Sequence, residues 1–151
     1  MVMYLYLVQH ADAKTEEQDP QRGLSQKGFD DIKKVAAFLT KLNLEVDEIF
    51  HSPKLRAKQT AQVLSEALGV RTTEADGLTP LDDPQIWSAR LKNINKSIML
   101  VGHLPHLSNL ASLILVADRE KTIISFKMAG VVCLKKEQNW TVSWMITPEV
   151  I

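Results

Sequence analysis

The chain has 151 residues, of which 45% are hydrophobic and 24% are charged, and it contains six glycines and six prolines. This length and composition are typical of one globular domain, expected to span residues 1–151, and they exclude a disordered, collagen-like or low-complexity chain. Its 18 basic residues balance its 18 acidic residues, so there is no overall positive field to hold a nucleic acid or an anionic membrane.

The first half of the chain alternates predicted strands with predicted helices. Residues 3–8 form a continuous apolar, β-prone run, which is typical of a central strand covered on both faces. Ser25 is a suitable N-cap for a helix whose apolar residues recur every three or four positions. A short strand ends at His51, and the apolar stripe that follows predicts a second helix closed by Gly69.

The second half continues this alternation and then changes character. Residues 70–74 are a weak strand candidate, Asp83 and Pro84 predict the start of a helix that runs to about Leu91, and residues 97–101 form a second buried strand. A helix is expected after His103. The C-terminal part predicts three strands joined by turns, at residues 122–126, 131–135 and 141–146.

Three aromatic or branched side chains alternate near the C-terminus, namely Trp140, Val142 and Trp144. Side chains two residues apart on a strand point to the same face. We therefore expect all three to pack into the core from one face of the last strand, rather than to form a stacking platform for nucleotides.

Strands that alternate with helices predict right-handed crossovers and hence an α/β fold. The expected architecture is a three-layer α/β/α sandwich with a mixed, mainly parallel sheet. Ligands bind such sheets outside the carboxyl ends of the strands. Polar residues lie at three such ends: Gln9 and His10, then Ser52 with Arg56, then His103. Two histidines, an arginine and helix N-terminal amides suit an oxyanion such as phosphate.

Familiar phosphate and metal motifs do not account for these residues. Gly23 and Gly28 have a Walker-like spacing, but Phe29 and Asp30 stand where Lys and Ser or Thr belong. The sequence has no GxGxxG, GxSxG or CxxC motif. A nucleotide-binding P-loop is therefore rejected.

The histidines also allow a metal-site hypothesis. His103 and His106, together with His51 and Asp12, are residue types that bind zinc, but no HExxH or equivalent spacing supports such a site. We therefore expect neither a metal nor a cofactor. His51 is expected at a strand end near the pocket rim. His106 is expected either at the pocket mouth or exposed on its helix.

Four segments, in this order, resemble the motif set of the histidine phosphatase superfamily and, within it, the SixA-type phosphohistidine phosphatases. They are Leu7-Val8-Gln9-His10-Ala11-Asp12, Leu24-Ser25-Gln26-Lys27-Gly28, Ser52-Pro53-Lys54-Leu55-Arg56-Ala57-Lys58-Gln59-Thr60 and Val101-Gly102-His103-Leu104-Pro105. The resemblance extends to about Leu115 and implies a phosphoglycerate mutase-like fold. The third segment is its most specific part.

The resemblance implies a covalent mechanism in which His10 accepts the phosphoryl group, with His103 as the second catalytic histidine. Arg56 and Ser52 are expected to bind the phosphate. The family carries Arg-His-Gly where this chain has Gln9-His10-Ala11, so a full positive charge is missing beside the nucleophile. Gln9 is still expected to contact the phosphate through its amide, and Arg22 is expected to supply the missing charge.

The resemblance further implies a substrate class. Larger superfamily members use a carboxylic acid to protonate an alkoxide leaving group, and no acidic residue here falls in a matching motif. The residues in the region are Glu74, Asp76, Asp82 and Asp83. Imidazole departs more readily than an alkoxide. The predicted function is therefore hydrolysis of phosphohistidine on a protein, such as a phosphotransfer domain in signal transduction.

Two alternatives stay open: a small-molecule phosphomonoesterase of the same superfamily, and a catalytically weak module that only binds phosphorylated partners. No nucleic acid or membrane partner is expected. The apolar opening run is too short to span a membrane and lacks a basic segment. Cys133 is the only cysteine, which favours a reducing compartment, the cytoplasm.

Overall fold

A computed structural model describes residues 2–151. The strands are β1 (Met3–Gln9), β2 (Glu48–His51), β3 (Thr72–Glu74), β4 (Ile98–Gly102), β5 (Val131–Lys136) and β6 (Trp140–Ile146). The helices are α1 (Gln26–Thr40), α2 (Leu55–Leu68), α3 (Gln85–Leu91) and α4 (His106–Val116), followed by a 3-10 helix at Pro148–Val150. Strands and helices alternate as far as α4. Within residues 2–151, no helix is both long and apolar enough to cross a lipid bilayer.

The strands form one mixed sheet of six strands in the order β3-β2-β4-β1-β5-β6. β1, β2, β3 and β4 pair in parallel, whereas β5 and β6 add to the edge beside β1 in antiparallel orientation. The predicted mixed, mainly parallel sheet is confirmed. Because β1, β2 and β4 are neighbours that run in one direction, their carboxyl ends meet at one edge of the sheet.

Each face of the sheet carries its own apolar core. On one face, Tyr6 and Val8 pack with the buried residues of α1 and α2. On the other face, Leu5 and Leu7 pack with the buried residues of α3 and α4. The alternation of side chains along β1 therefore supplies both cores. This is the predicted three-layer α/β/α arrangement.

The N-terminal end of helix α1 packs against the loop that follows β1. Ser25 is the N-cap, and its Oγ accepts a hydrogen bond from the Gly28 N–H at 3.0 Å. Ser25 N–H donates to the Asp12 carbonyl at 3.0 Å, and the Ser25 hydroxyl lies 2.5 Å from the Asp12 carboxylate. A Cβ on Gly28 would lie 2.0 Å from the Asp12 carbonyl oxygen, so only glycine fits at this contact. These contacts hold the residues after His10 against α1.

One predicted strand is wrong. Residues 121–127 have no regular secondary structure and pair with no strand among the described residues. Ile124 and Phe126 are buried in the core beside α3 and α4, whereas the residue between them is exposed. This alternating burial reproduces the sequence pattern of a strand without its ladder of backbone hydrogen bonds. The other predicted elements exist, with ends shifted by a residue or two.

The prediction that Trp140, Val142 and Trp144 share one face of the last strand is also wrong. In the pairing of β5 with β6, Cys133 lies opposite Trp144 but Leu134 lies opposite Val142, so Ser143 is an extra residue in the ladder. Such a bulge reverses the side-chain alternation on either side of it. Trp144 therefore packs in the core beside α1 and α2, Trp140 packs in the opposite core, and Val142 is 45% exposed.

Candidate functional site

Three loops bring the predicted site residues to the carboxyl edge of the sheet. His10 follows β1, Ser52 follows β2 and His103 follows β4. The backbone pairing continues past the strand ends, since His10 N–H donates to the Gly102 carbonyl at 3.0 Å and Ser52 N–H donates to the Val101 carbonyl at 3.1 Å. The two histidine rings consequently lie with their centroids 5.1 Å apart.

His10 has one ring nitrogen bound to the backbone. Its Nδ1–H donates to the Ala11 carbonyl at 2.7 Å, so the neutral ring presents an unprotonated Nε2. The side chain is buried. Burial lowers the pKa of His10, as do the charges of Arg56 and Arg22, while the bond to Ala11 and the charge of Asp12 act in the opposite direction. The ring is thus neutral at pH 7 and can act as a nucleophile.

His103 is almost completely buried, at 1% exposure. Its Nε2 lies 2.8 Å from the hydroxyl oxygen of Ser52, while its Nδ1 has no hydrogen-bond partner within residues 2–151. Burial, followed by the charges of His10 and Arg56, lowers the pKa of His103 to about 3. This histidine therefore offers the site a neutral N–H group and not a positive charge.

Thr60 connects the loop that carries His10 to Arg56. Arg56 lies in the first turn of α2, where it is half-buried and its Nε has no partner among the described residues. The Thr60 hydroxyl donates to the Arg56 carbonyl at 2.7 Å and accepts the Ala11 N–H at 3.0 Å. Since the Ala11 carbonyl in turn holds the His10 ring, one buried hydroxyl sets the position of the histidine relative to the arginine.

Arg22 is held close to this group by a neighbouring segment. Gln59 Oε1 accepts the Leu24 N–H at 2.7 Å, and the Arg22 Nε–H donates to the Lys14 carbonyl at 3.0 Å. Arg22 has a left-handed backbone with φ of 51°. Its charge is near enough to lower the pKa of His10, and also that of Arg56, where burial is the larger cause. The charges of both arginines thus act on the His10 ring.

Gln9 lies beside His10 at the end of β1. Its Oε1 is buried without a partner within residues 2–151, and its backbone carbonyl accepts the Ala129 N–H at 3.0 Å. Ala129 N–H also lies 3.3 Å from the His10 carbonyl. This contact was not predicted from the sequence, because only the sheet order places β5 beside β1.

Three other candidate residues are buried rather than exposed: Ser52, His51 and His106. Ser52 is fully buried, with its hydroxyl on the His103 ring. His51 ends β2, as expected, but is 5% exposed and donates from Nδ1 to the Ser52 carbonyl at 2.9 Å. His106, expected to be exposed or at the pocket mouth, is fully buried. Burial is the largest cause that lowers the pKa of His106, and the charges of Asp82 and Asp83 act in the opposite direction.

Three of the four acidic residues named for that region, all except Glu74, have other partners. Asp76 pairs with Arg90 at 2.7 Å, and Asp83 pairs with Arg119 at 3.0 Å. Asp82 accepts the Thr79 N–H at 2.9 Å, and its hydrogen bonds to the Thr79 side chain and backbone lower its pKa. None of these three carboxylates is among the charges that act on His10.

The site therefore combines a neutral imidazole with a free Nε2, a second neutral imidazole and two nearby guanidinium groups. This set of groups suits a tetrahedral dianion. Across residues 2–151, no three His, Cys, Asp or Glu side chains cluster in a way that would hold a metal ion.

Comparisons with known proteins identify similar chains. The sequence profile described as histidine phosphatase superfamily (branch 1) matches residues 5–83. Phosphohistidine phosphatase SixA of Escherichia coli (strain K12) is 26% identical over 153 residues, which cover 97% of this chain and 94% of the relative.

Solved structures share the fold over nearly the whole chain. The protein histidine phosphatase SixA complexed with tungstate superimposes with a TM-score of 0.86 at 24% identity and covers 97% of both chains. The alpha-ribazole phosphatase of Shigella flexneri superimposes with a TM-score of 0.81 at 13% identity, again covering 97% of both chains. The predicted α/β sandwich is therefore an architecture found in phosphatases.

Proposed function

The chain belongs to the histidine phosphatase superfamily, and from that premise we propose that it hydrolyses phosphohistidine on a protein partner by way of a phosphoryl group carried on His10. The observation that carries the proposal is the free Nε2 of His10. Its ring is neutral because it is buried beside cations, and its Nδ1–H is bound to the Ala11 carbonyl. The lone pair on Nε2 is therefore available to attack phosphorus.

The first step transfers the phosphoryl group between two imidazole rings. The His10 Nε2 lone pair forms the new N–P bond while the N–P bond of the substrate histidine breaks, and those electrons stay on the substrate ring. A phosphorylated imidazole that carries a proton on its other nitrogen departs as neutral imidazole. Because His10 keeps its Nδ1–H throughout, this step requires no net proton transfer and no carboxylic acid.

The second step is hydrolysis of the phosphorylated His10. A water oxygen attacks phosphorus, the N–P bond breaks, and its electrons return to Nε2. The water supplies the oxygen and both protons of the dihydrogen phosphate product, so that His10 is again neutral and ready for another substrate.

The surrounding groups would stabilise the transition state of both steps. Charge spreads over the three equatorial oxygens during phosphoryl transfer, and the protein contributes mainly by positioning and electrostatics. We assign Arg56 and Arg22 to these oxygens as cations, and His103 and Gln9 as neutral N–H donors. The charge that Gln9 lacks is thereby supplied from a different segment of the chain.

The carboxylates favour phosphohistidine over a phosphate ester. An alkoxide leaving group needs a proton donor, and Asp76, Asp82 and Asp83 are held by other partners. A lowered pKa also keeps the Asp82 carboxylate ionised at neutral pH, where it has no proton to donate. The similar E. coli SixA is a phosphohistidine phosphatase by name, which supports the same substrate class. The fold by itself does not distinguish a phosphohistidine substrate from a phosphate ester, since alpha-ribazole phosphatase shares it.

The decisive experiment offers the protein a phosphotransfer domain labelled with ³²P on its histidine. We expect release of inorganic phosphate and, after rapid quenching, an acid-labile, base-stable phosphate on the wild-type chain. His10→Ala is expected to release no phosphate above background and to carry no label. Arg71→Ala is the control for general effects of substitution. It removes an exposed cation that precedes β3, at the end of the strand away from the candidate site.

Other substrates separate the alternatives. Faster turnover of sugar phosphates than of the labelled domain would replace the proposal with a small-molecule phosphomonoesterase. Phosphate binding by calorimetry without any turnover would replace it with a phospho-binding module. Retained turnover in His10→Ala would overturn the nucleophile assignment.

A further inference from the structure

The hydroxyl of Ser52 has a single place for its proton. Its oxygen accepts the Lys54 N–H at 3.3 Å, which uses one lone pair. Within residues 2–151, the only acceptor at hydrogen-bonding distance is His103 Nε2, at 2.8 Å. Donation to this acceptor is favoured, since an unpaired proton on a fully buried hydroxyl destabilises the folded state. The Ser52 O–H therefore donates to Nε2.

This donation determines the tautomer of His103. A neutral imidazole carries one proton, and Nε2 can accept from Ser52 only when that proton is on Nδ1. In the opposite tautomer, Nε2–H would donate to the Ser52 oxygen, and both the hydroxyl proton and the lone pair of the buried Nδ1 would have no partner. That lone pair would repel a phosphoryl oxygen.

The two histidines then have the same tautomer but expose opposite nitrogens. In His10 the Nδ1–H is bound to the Ala11 carbonyl, which leaves the Nε2 lone pair free. In His103 the Nε2 lone pair is bound to Ser52, which leaves the buried Nδ1–H without a partner. One ring thus presents a nucleophile, while the other presents a hydrogen-bond donor.

We infer that Ser52 is a positioning residue whose hydroxyl holds His103 in the Nδ1–H form, so that the neutral ring donates a hydrogen bond to a phosphoryl oxygen. Ser52 thus acts on the phosphate through His103 and not by direct contact. The inference rests on the proposed function for its catalytic consequence, but the tautomer itself is a property of the resting protein.

The test is Ser52→Ala, examined in the absence and presence of substrate. Nitrogen-15 NMR of histidine-labelled protein at pH 7.5 distinguishes a protonated ring nitrogen from an unprotonated one. We expect wild-type His103 to carry its proton on Nδ1, and Ser52→Ala to move the population toward Nε2–H, the form that free imidazole side chains prefer. Losing one preorganised donor should lower kcat on the labelled phosphotransfer domain by about 100-fold, with little change in KM.

Ser97→Ala is the matched control. Ser97 precedes β4, whose other end leads to His103, and it is 1% exposed with its Oγ accepting the Tyr4 N–H at 3.0 Å. Its loss removes a buried serine hydroxyl and a hydrogen bond, as Ser52→Ala does, but far from the histidines. We expect a similar loss of stability with the His103 tautomer and kcat unchanged.

Three results would overturn the inference: an Nε2–H proton in wild-type His103, an unchanged tautomer in Ser52→Ala, or an unchanged kcat despite a changed tautomer. A wild-type chain without phosphatase activity would instead contradict the proposed function, and the NMR measurement would still decide the tautomer.

Discussion

The charges around His10 come from Arg22, Arg56 and Asp12 and not from its neighbour Gln9. Gln9 occupies the position where superfamily members carry arginine, and its amide is neutral. Arg22 and Arg56 both act on the His10 ring by their charges. Arg22 was expected to supply the missing charge, but the contacts of Gln59 and Lys14 that hold its segment were not predicted, because they form only when the loop after β1 packs against α2.

Replacing Arg22 tests whether it substitutes for the missing arginine. We expect Arg22→Ala to weaken inhibition by inorganic phosphate and to lower kcat/KM by about tenfold or more, since a hydrogen bond to a charged group is typically worth about 1.5–3 kcal/mol. Because the Arg22 charge lowers the pKa of His10, the acidic limb of the kcat/KM profile should also move to higher pH. Lys41→Ala removes an exposed cation at the other end of α1 and should change neither quantity. An unchanged phosphate inhibition constant in Arg22→Ala would contradict the compensation.

At the level of elements, the start of α1 and the loop after β1 form one unit. Ser25 as an N-cap was readable from its residue type and from the apolar stripe that follows, and the structure confirms it. The need for glycine at position 28 was not readable, because it arises from the carbonyl of Asp12. The bulge at Ser143 was equally hidden, since it depends on how β6 registers with β5.

Substitution of Gly28 should couple stability to activity. In Gly28→Ala the new Cβ would lie 2.0 Å from the Asp12 carbonyl oxygen, so either α1 or the loop that carries His10 must move. We expect a loss of about 2 kcal/mol or more in the free energy of unfolding and at least a tenfold loss of kcat. Chemical denaturation and steady-state kinetics measure the two effects.

Gly69→Ala provides the contrast. Gly69 ends α2 with φ of 67°, and a Cβ there would meet no atom within 4 Å. Backbone strain should lower the free energy of unfolding of Gly69→Ala by about 1–2 kcal/mol, whereas kcat should not change. Equal kinetic losses in the two variants would show that the contact with Asp12 has no special role.

Across the whole molecule, burial of neutral histidines links catalysis to stability. Burial is the largest cause that lowers the pKa of His10, His103 and His106. Each of these rings is protonated more readily in the unfolded chain than in the folded one. The free energy of unfolding is therefore highest, as far as these rings are concerned, above pH 6.5. It decreases as the pH falls from 6.5 toward the folded pKa values.

His103 should account for a measurable part of this acid sensitivity. The pKa of His103 is 6.5 in the unfolded chain and about 3 in the folded one. Its protonation in the unfolded chain should therefore lower the free energy of unfolding of the wild type by about 2 kcal/mol between pH 7 and pH 5. His103→Gln removes this titration, so its stability should fall by about 2 kcal/mol less over the same interval. Denaturation series at the two pH values make the comparison, and parallel losses in both proteins would contradict the assignment.

The amino-acid sequence alone determined the alternation of strands and helices and pointed to the candidate site residues, because periodicity, caps and motif order are local properties. Only the tertiary structure decided which ring nitrogens of His10 and His103 have hydrogen-bond partners, which hydroxyl joins Arg56 to the loop of His10, and which core each tryptophan enters. Those outcomes depend on hydrogen bonds and strand registers between segments far apart in the chain. The sheet order that sets them is a property of the packed molecule and not of any single segment.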